Sequence, residues 1–346
     1  MSSISTVAGL ATDQALLRGR IDTLSRQVAT GQRGTVHGAL GAEARRAIDL
    51  RGEIGRREAY GNAADRALAR SGAAATVLAR LHDLTAGVSA EAKRAKTLGA
   101  LAAETLAQSA RAALDEAAAL LNTRHAGEYL FGGSDVAAPP VPGAATIASG
   151  PLAAAIAAAV GTLDASNATA VLADTATAAS DPASTPFSAF LEAEGATEAR
   201  RAVQVAEGER VALGVFAHRD QADAVAGSWG RELLRGLATL AALTPAQAAL
   251  GTGWTGLLDG VAAGLDGAAQ GLAAEQGTLG AAEQRIEAAR ERHADTLVAL
   301  RAQLGAVEEV DLAAASAELR QVQSRLEASY EVTGMISRLS LAALLR

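Results

Sequence analysis

Cysteine is absent from the 346-residue chain, which excludes a disulfide framework, a thiolate metal site and a thiol nucleophile. Aromatic residues make up only 3%. Lysine occurs twice, at Lys93 and Lys96, and all other basic charge is arginine. The balance of 31 basic against 38 acidic side chains gives a net charge of −7 with no clustered basic stretch, so no nucleic-acid partner is expected. The longest apolar run, Leu152 to Val160, falls far short of the ~20 residues that cross a bilayer, and no membrane partner is expected either. Residues Met1 to Val7 lack a basic segment leading into an apolar core, which argues against a cleaved secretory signal.

What is present in excess is alanine, 89 residues and about a quarter of the chain. Alanine is the strongest helix former, but it buries little area. The composition therefore predicts long, closely packed helices rather than a globular core of large side chains. Proline is concentrated: six of the seven lie at 139, 140, 142, 151, 182 and 186.

Apolar spacing divides the chain. Leu10, Leu17, Ile21, Leu24 and Val28 share one 3–4 spaced frame over residues 8–30, with Gln14 as a polar exception. Four glycines between Thr30 and Gly41 end that helix. Helices are then expected from about Ala42 to Leu84 or beyond and from about Leu98 to His125. Residues 135–220 form a less regular module rich in Ala, Thr, Ser and Pro. Within it, Ala202–Val205 and Arg210–Val215 flank Glu207-Gly208-Glu209 and predict a β-hairpin. Helix resumes after about Gln221, and Thr244-Pro245 supplies an N-cap and first-turn pair. From Trp254 to Val307, Leu279, Ala282, Ile286, Ala289 and His293 share a heptad frame, which a four-residue step carries on to Leu297, Leu300, Leu304 and Val307. Asp311 should cap a last helix whose seam holds Leu312, Ala315, Leu319, Val322, Leu326, Ser329, Thr333 and Ile336. The expected fold is mainly α: a long antiparallel coiled-coil hairpin made by both chain ends, with a smaller irregular, β-containing central domain. The divisions fall at 1–134, 135–220 and 221–346.

Motifs for chemistry are weak. Gly251-Thr-Gly253-Trp-Thr-Gly256 has the spacing of a dinucleotide-binding turn, but no preceding strand or βαβ unit is expected, and an interhelical turn is the better reading. The histidines at 37, 82, 125, 218 and 293 are too scattered for a metal site; each is expected to face solvent or a seam. Asp115-Glu116 and Glu308-Glu309 lie among arginines and read as solvated helix faces. Asn167-Ala-Thr169 fits a glycosylation acceptor pattern. No enzyme activity, cofactor or metal is expected.

The segment Leu120 to Asp135 reads Leu-Leu-Asn-Thr-Arg-His-Ala-Gly-Glu-Tyr-Leu-Phe-Gly-Gly-Ser-Asp, placing Tyr129, Leu130 and Phe131 at a helix end. It resembles the bacterial flagellin and hook–filament junction family, where such a sequence closes the N-terminal helical half. Leu24-Ser-Arg-Gln-Val-Ala-Thr-Gly-Gln-Arg33 resembles that family's first turn. Asp311-Leu-Ala-Ala-Ala-Ser-Ala-Glu-Leu, Leu326-Glu-Ala-Ser-Tyr330 and Ser337-Arg-Leu-Ser-Leu341 resemble its closing helix. Residues Gly34 to Glu43 depart from the family pattern. The resemblance implies an exported, extracellular structural subunit of the flagellum. That subunit would be a hook-associated protein joining hook to filament and seeding filament assembly, or else flagellin itself. It also implies partners: further copies of the chain, other hook-associated proteins, flagellin, and the flagellar export apparatus with its chaperone.

Overall fold

The structure is a computed structural model that describes residues 2–34, 37–220, 225 and 227–344, with side chains described from 9 to 336 apart from 35–39, 221–224 and 226. It is mainly α and divides into two compact units, one of residues 1–59 with 293–346 and one of residues 60–292.

In the first unit, α1 (Ser2–Thr30) packs against α10 (Leu312–Leu344). The pairing is antiparallel, since Gln14 reaches Ser329 while Arg20 reaches Glu318. The α1 frame is carried out by packing: Leu24, Ala315 and Val322 are buried, with Leu17, Ile21, Val28, Val310 and Leu319 packed around them. The starts of α2 (Ala44–Leu98) and ends of α9 (Thr252–Glu308) make a second cluster of Ala47, Leu50 and Val307, flanked by Leu40, Leu300 and Leu304. Asp311 caps α10 by accepting from the amides of Ala313 and Ala314 at 2.9 and 3.0 Å.

The second unit holds most of the core. The rest of α2 passes through Gly99, whose positive φ of 60° breaks the helix, into α3 (Ala100–Leu121). Buried Ala103, Leu106, Ala110, Leu114, Ala117 and Leu121 recur at helical spacing along one face of α3. A two-residue turn, Ala126-Gly127, joins β1 (Arg124–His125) to β2 (Glu128–Tyr129). Both turn residues have positive φ, as a type I′ hairpin requires. The hairpin read from the sequence exists as β3 (Ala202–Ala206) and β4 (Glu209–Ala212), with a register shift between Gln204 and Ala206.

The proline-rich stretch is more helical than its composition suggested. It contains α4 (Pro151–Gly161), α5 (Ala168–Ser180) and the short α6 (Ala189–Glu192). Pro151 sits in the first turn of α4, where its missing N–H costs nothing. Leu152, Ile156 and Val160 then face the core at 3–4 spacing. Residues 144–161 reach a mean hydropathy of 1.6, yet they are two elements separated at Gly150, whose backbone is extended.

Next come α7 (Trp229–Ala241) and α8 (Pro245–Ala248), the latter closed by a capping box between Thr244 and Gln247. Every residue of α7 except Glu232 is buried. Its two arginines are satisfied inside: Arg231 donates to both carboxylate oxygens of Glu192 at 2.8 and 3.0 Å, and Arg235 donates to Thr175 at 3.1 Å. Here the expectation drawn from alanine content fails. Trp229, Trp254, Phe131 and Phe216 are all fully enclosed, because the few large side chains are gathered into this unit rather than spread along the chain.

Several glycines of α9 belong to this packing, although Gly267, Gly277 and Gly280 face open space. A methyl group at Gly253 would overlap the Asp164 carbonyl, one at Gly260 would overlap the Leu172 side chain, and one at Gly271 would sit 2.9 Å from Cβ of Trp229. Glycine is required at these three positions because the turn before α5, α5 itself and α7 lie against the helix backbone. Both lysines of the chain tie α2 to α9: Lys93 pairs with Asp266 at 2.6 Å and Lys96 with Asp259 at 2.7 Å. Lys93 and the Ser89 hydroxyl hold the Asp266 carboxyl below the usual carboxylate range.

Candidate assembly surface

The paired terminal helices contain ten leucine, isoleucine and valine positions singled out by spacing. Leu24 and Val322 are buried, and Leu10, Leu17, Ile21, Val28, Leu319, Leu326 and Ile336 are partly buried. Leu312 is the exception. It is 49% exposed, because Asp311 fixes the first turn of α10 with Leu312 outside the seam, and Val310 fills the corresponding place in the cluster. Within one chain the buried part of the α10 seam begins at Ala315.

Two polar devices fix how these helices meet. Gln14 donates to Thr333 Oγ1 at 3.0 Å and to Ser329 Oγ at 3.3 Å, so the polar exception on α1 faces the two polar seam positions of α10. At the far end of the pair, the loops after α1 and before α10 bridge through their backbones. Val310 donates to the Gly31 carbonyl at 2.9 Å and Arg33 to the Glu308 carbonyl at 2.8 Å. The ion pair Arg20–Glu318 between α1 and α10, like Arg301–Glu58 between α9 and α2, is solvent-exposed and adds little stability.

This unit also leaves large apolar side chains in solvent. Leu16, Ile48, Val298, Val332 and Met335 are all exposed, and so is Tyr330, whose hydroxyl accepts from Arg18 at 2.8 Å. A two-helix seam has room for one face of each helix, and these residues lie off it.

The helix-end closure lies in the second unit. Leu130 and Phe131 are buried and Tyr129 is half-buried, with the Arg124 guanidinium 4.8 Å above its ring. The chain reversal is held by Asn122, which accepts from the Val141 amide at 2.9 Å and donates back to the Val141 carbonyl at 2.7 Å. Phe131 accepts from the Ala217 amide at 3.1 Å, and Gly132 bridges Phe216. A side chain at Gly133 would strike the Phe216 ring. The aromatics and both glycines of this segment thus act on one joint, which links the end of α3 to Phe216 and Ala217 beyond the end of β4, while Asn122 ties it to Val141.

Other singled-out residues take structural places. Gly251 turns with φ of 56° and Thr252 starts α9, with no strand before them. His218 corrects the expectation for histidines, since it faces neither solvent nor a seam. It is fully buried between Phe187 and Phe216, and neither ring nitrogen finds a hydrogen-bond partner among the described residues. Burial first, then the charges of Arg219 and Arg231, lower its pKa to about 4. His293 is buried, as its heptad position requires, while the side chain of His37 lies outside the described residues. Glu116 pairs with Arg80 and Glu308 with Arg51. Asn167 spends its amide on the Thr162 carbonyl, 2.8 Å away, in a turn that Asp164 organises.

Residues 262–345 match the family model of the bacterial flagellin C-terminal helical region. No curated protein matches the chain. The match supports the bacterial flagellin family, whose members are structural, non-enzymatic proteins that are exported and build the extracellular flagellar filament.

Proposed function

We propose that this chain, a flagellar structural subunit by its flagellin-type C-terminal region, is the hook-associated kind that joins hook to filament and seeds filament growth. The C-terminal match carries the coarser statement. The finer one rests on the joint at Tyr129-Leu130-Phe131-Gly132-Gly133 and on Val211–Ala217 leading into the downstream helices. Bulk filament subunit is the alternative. On this reading 1–134 and 221–346 supply the helical core and 135–220 the outward domain. The partners are further copies, other hook-associated proteins, flagellin, and the export apparatus with its chaperone.

The chemistry of assembly is burial. Residues that are half-covered within one chain, such as Leu10, Leu326 and Ile336, and the exposed Leu16, Val332 and Met335, gain cover when copies pack side by side. Leu326→Ala or Ile336→Ala is expected to weaken polymerisation, read by sedimentation of assembled material, more than it changes helicity by circular dichroism. Normal assembly by both variants would remove these residues from the interface. Quantitative mass spectrometry of sheared flagella separates the two roles. A trace, ring-like copy number identifies a junction protein, dominance identifies the filament subunit, and absence overturns the flagellar reading.

A further inference from the structure

Within the second unit, a cleft of about 480 Å³ opens between α2, the β1–β2 turn and the β3–β4 hairpin. Its walls are apolar and small: Ala63, Ala67, Val203 and Leu213. Its rim is basic. Arg66, Arg70 and Arg201 all line it, with His125 at the turn. A single carboxylate, Glu128, answers them. It takes Arg70 at 3.1 Å and Arg201 at 2.9 Å on the same oxygen, one negative charge for two guanidinium groups, with Arg70 also donating to the Tyr129 carbonyl at 2.7 Å. Arg66 is exposed and has no ion pair or hydrogen bond among the described residues. Arg70 is largely withdrawn from water, and burial together with the neighbouring Arg201 holds its pKa below the ordinary arginine value. A concentration of positive charge in a concave, alanine-floored cleft on a chain of net charge −7 is the reverse of the molecule's average surface, and such a cleft focuses an attractive field on anions.

We propose that this cleft binds an acidic protein segment, with glutamate or aspartate side chains reaching Arg66 and Arg201 and an apolar side chain between them on the floor formed by Ala67 and Val203. The guanidinium forks favour carboxylate geometry, and the apolar floor distinguishes such a segment from a free inorganic anion, which would gain nothing from it. Glu128 acts as the resident competitor, occupying the arginines until a better-placed carboxylate arrives. The proposal does not depend on the flagellar role.

The test uses the full chain and a fluorescent peptide in which two glutamates flank a leucine, followed by anisotropy. Binding should weaken as salt is added and should fall by about tenfold or more in Arg66→Glu. Arg111→Glu, an exposed arginine on α3 outside the cleft, should bind as the parent does. Glu128→Gln should bind several-fold tighter, a gain that misfolding does not produce. The proposal is overturned if Arg66→Glu binds unchanged, or if a lysine-for-glutamate peptide binds equally well. It also fails if inorganic phosphate displaces the peptide at equal concentration, which would make the cleft a simple anion site.

Discussion

The two compact units are built from the same alanine-rich composition and the same kind of helix, yet they hold themselves together differently. The unit of residues 60–292 has a continuous core around Trp229, Trp254, Phe131 and Phe216, and it even encloses ion pairs such as Arg231–Glu192. The unit of residues 1–59 and 293–346 has two small clusters centred on Leu24 and Val307, surface ion pairs, and a set of large apolar side chains left in water. The first buries most of its large apolar side chains, with Leu98 and Leu101 exposed where α2 meets α3. The second buries one face per helix, and a long helix pair of that kind draws its stability from whatever else packs on it. Stability in this molecule is thus divided by region, and variants should act on one region at a time.

The sharpest break is expected from Trp229→Ala. It empties the site against which Gly271 packs and should cost about 3–5 kcal/mol. The loss should appear in the thermal transition of residues 60–292, while hydrogen exchange in α1 and α10 keeps its parent pattern. Equal loss of protection in both units would show that they fold as one.

Acid should act on the same unit. The folded chain holds His218 at a pKa of about 4, against an ordinary 6.5. Between those values the unfolded chain binds a proton that the folded chain does not, so stability is full above pH 6.5 and declines as pH falls towards 4. The loss totals about 3 kcal/mol. His218→Leu fills a similar volume between Phe187 and Phe216 without a titrating group. Urea melts at neutral and acid pH should show a smaller difference in that variant than in the parent. An unchanged difference would assign the acid sensitivity to carboxylates instead.

Leu24→Ala attacks the other region and should cost about 2–3 kcal/mol. Its signature is faster hydrogen exchange along α1 and α10, with the main thermal transition unmoved.

Much of this contrast was legible in the spacing of apolar residues. The heptad from Leu279 through His293 is buried throughout, and the frame from Leu17 to Val28 packs as read, because a helix face is written locally, every three or four residues. Capping chemistry was legible for the same reason at Asp311 and Thr244. What escaped was set by distant neighbours. The glycines of α9 weakened the helix reading, and contacts with Asp164, Leu172 and Trp229 explain Gly253, Gly260 and Gly271, while nothing in the structure explains Gly267, Gly277 and Gly280. The helices between 144 and 180 were hidden by the prolines around them, since those prolines punctuate the stretch rather than dissolve it. Arg201 lies more than a hundred residues from Arg66 and Arg70, and nothing local marks the three as one cleft. Leu312 fits the period yet stands 49% exposed beside the Asp311 cap, which spacing alone does not show.

The smallest effect on stability is expected from Gln14, and it bears most directly on what the terminal helices are for. Gln14 sits at a seam position and spends its amide on Ser329 and Thr333. A leucine there would bury more apolar area but leave two hydroxyls opposite it without their donor, while Thr333 keeps its own bond to the Ser329 carbonyl at 2.8 Å. Gains and losses of this size nearly cancel, so Gln14→Leu should shift the stability of the pair by no more than about 1 kcal/mol. Its larger consequence is in pairing. A polar layer inside an apolar seam disfavours every register that separates its partners, and with Gln14 gone the seam is apolar residues sliding on apolar residues. Cross-linking between cysteines placed at exposed positions on α1 and α10 should give one dominant pair in the parent and several in Gln14→Leu. A single pair in both would mean that the backbone bridge between Gly31 and Val310 already fixes the register, and that the polar layer serves some other end.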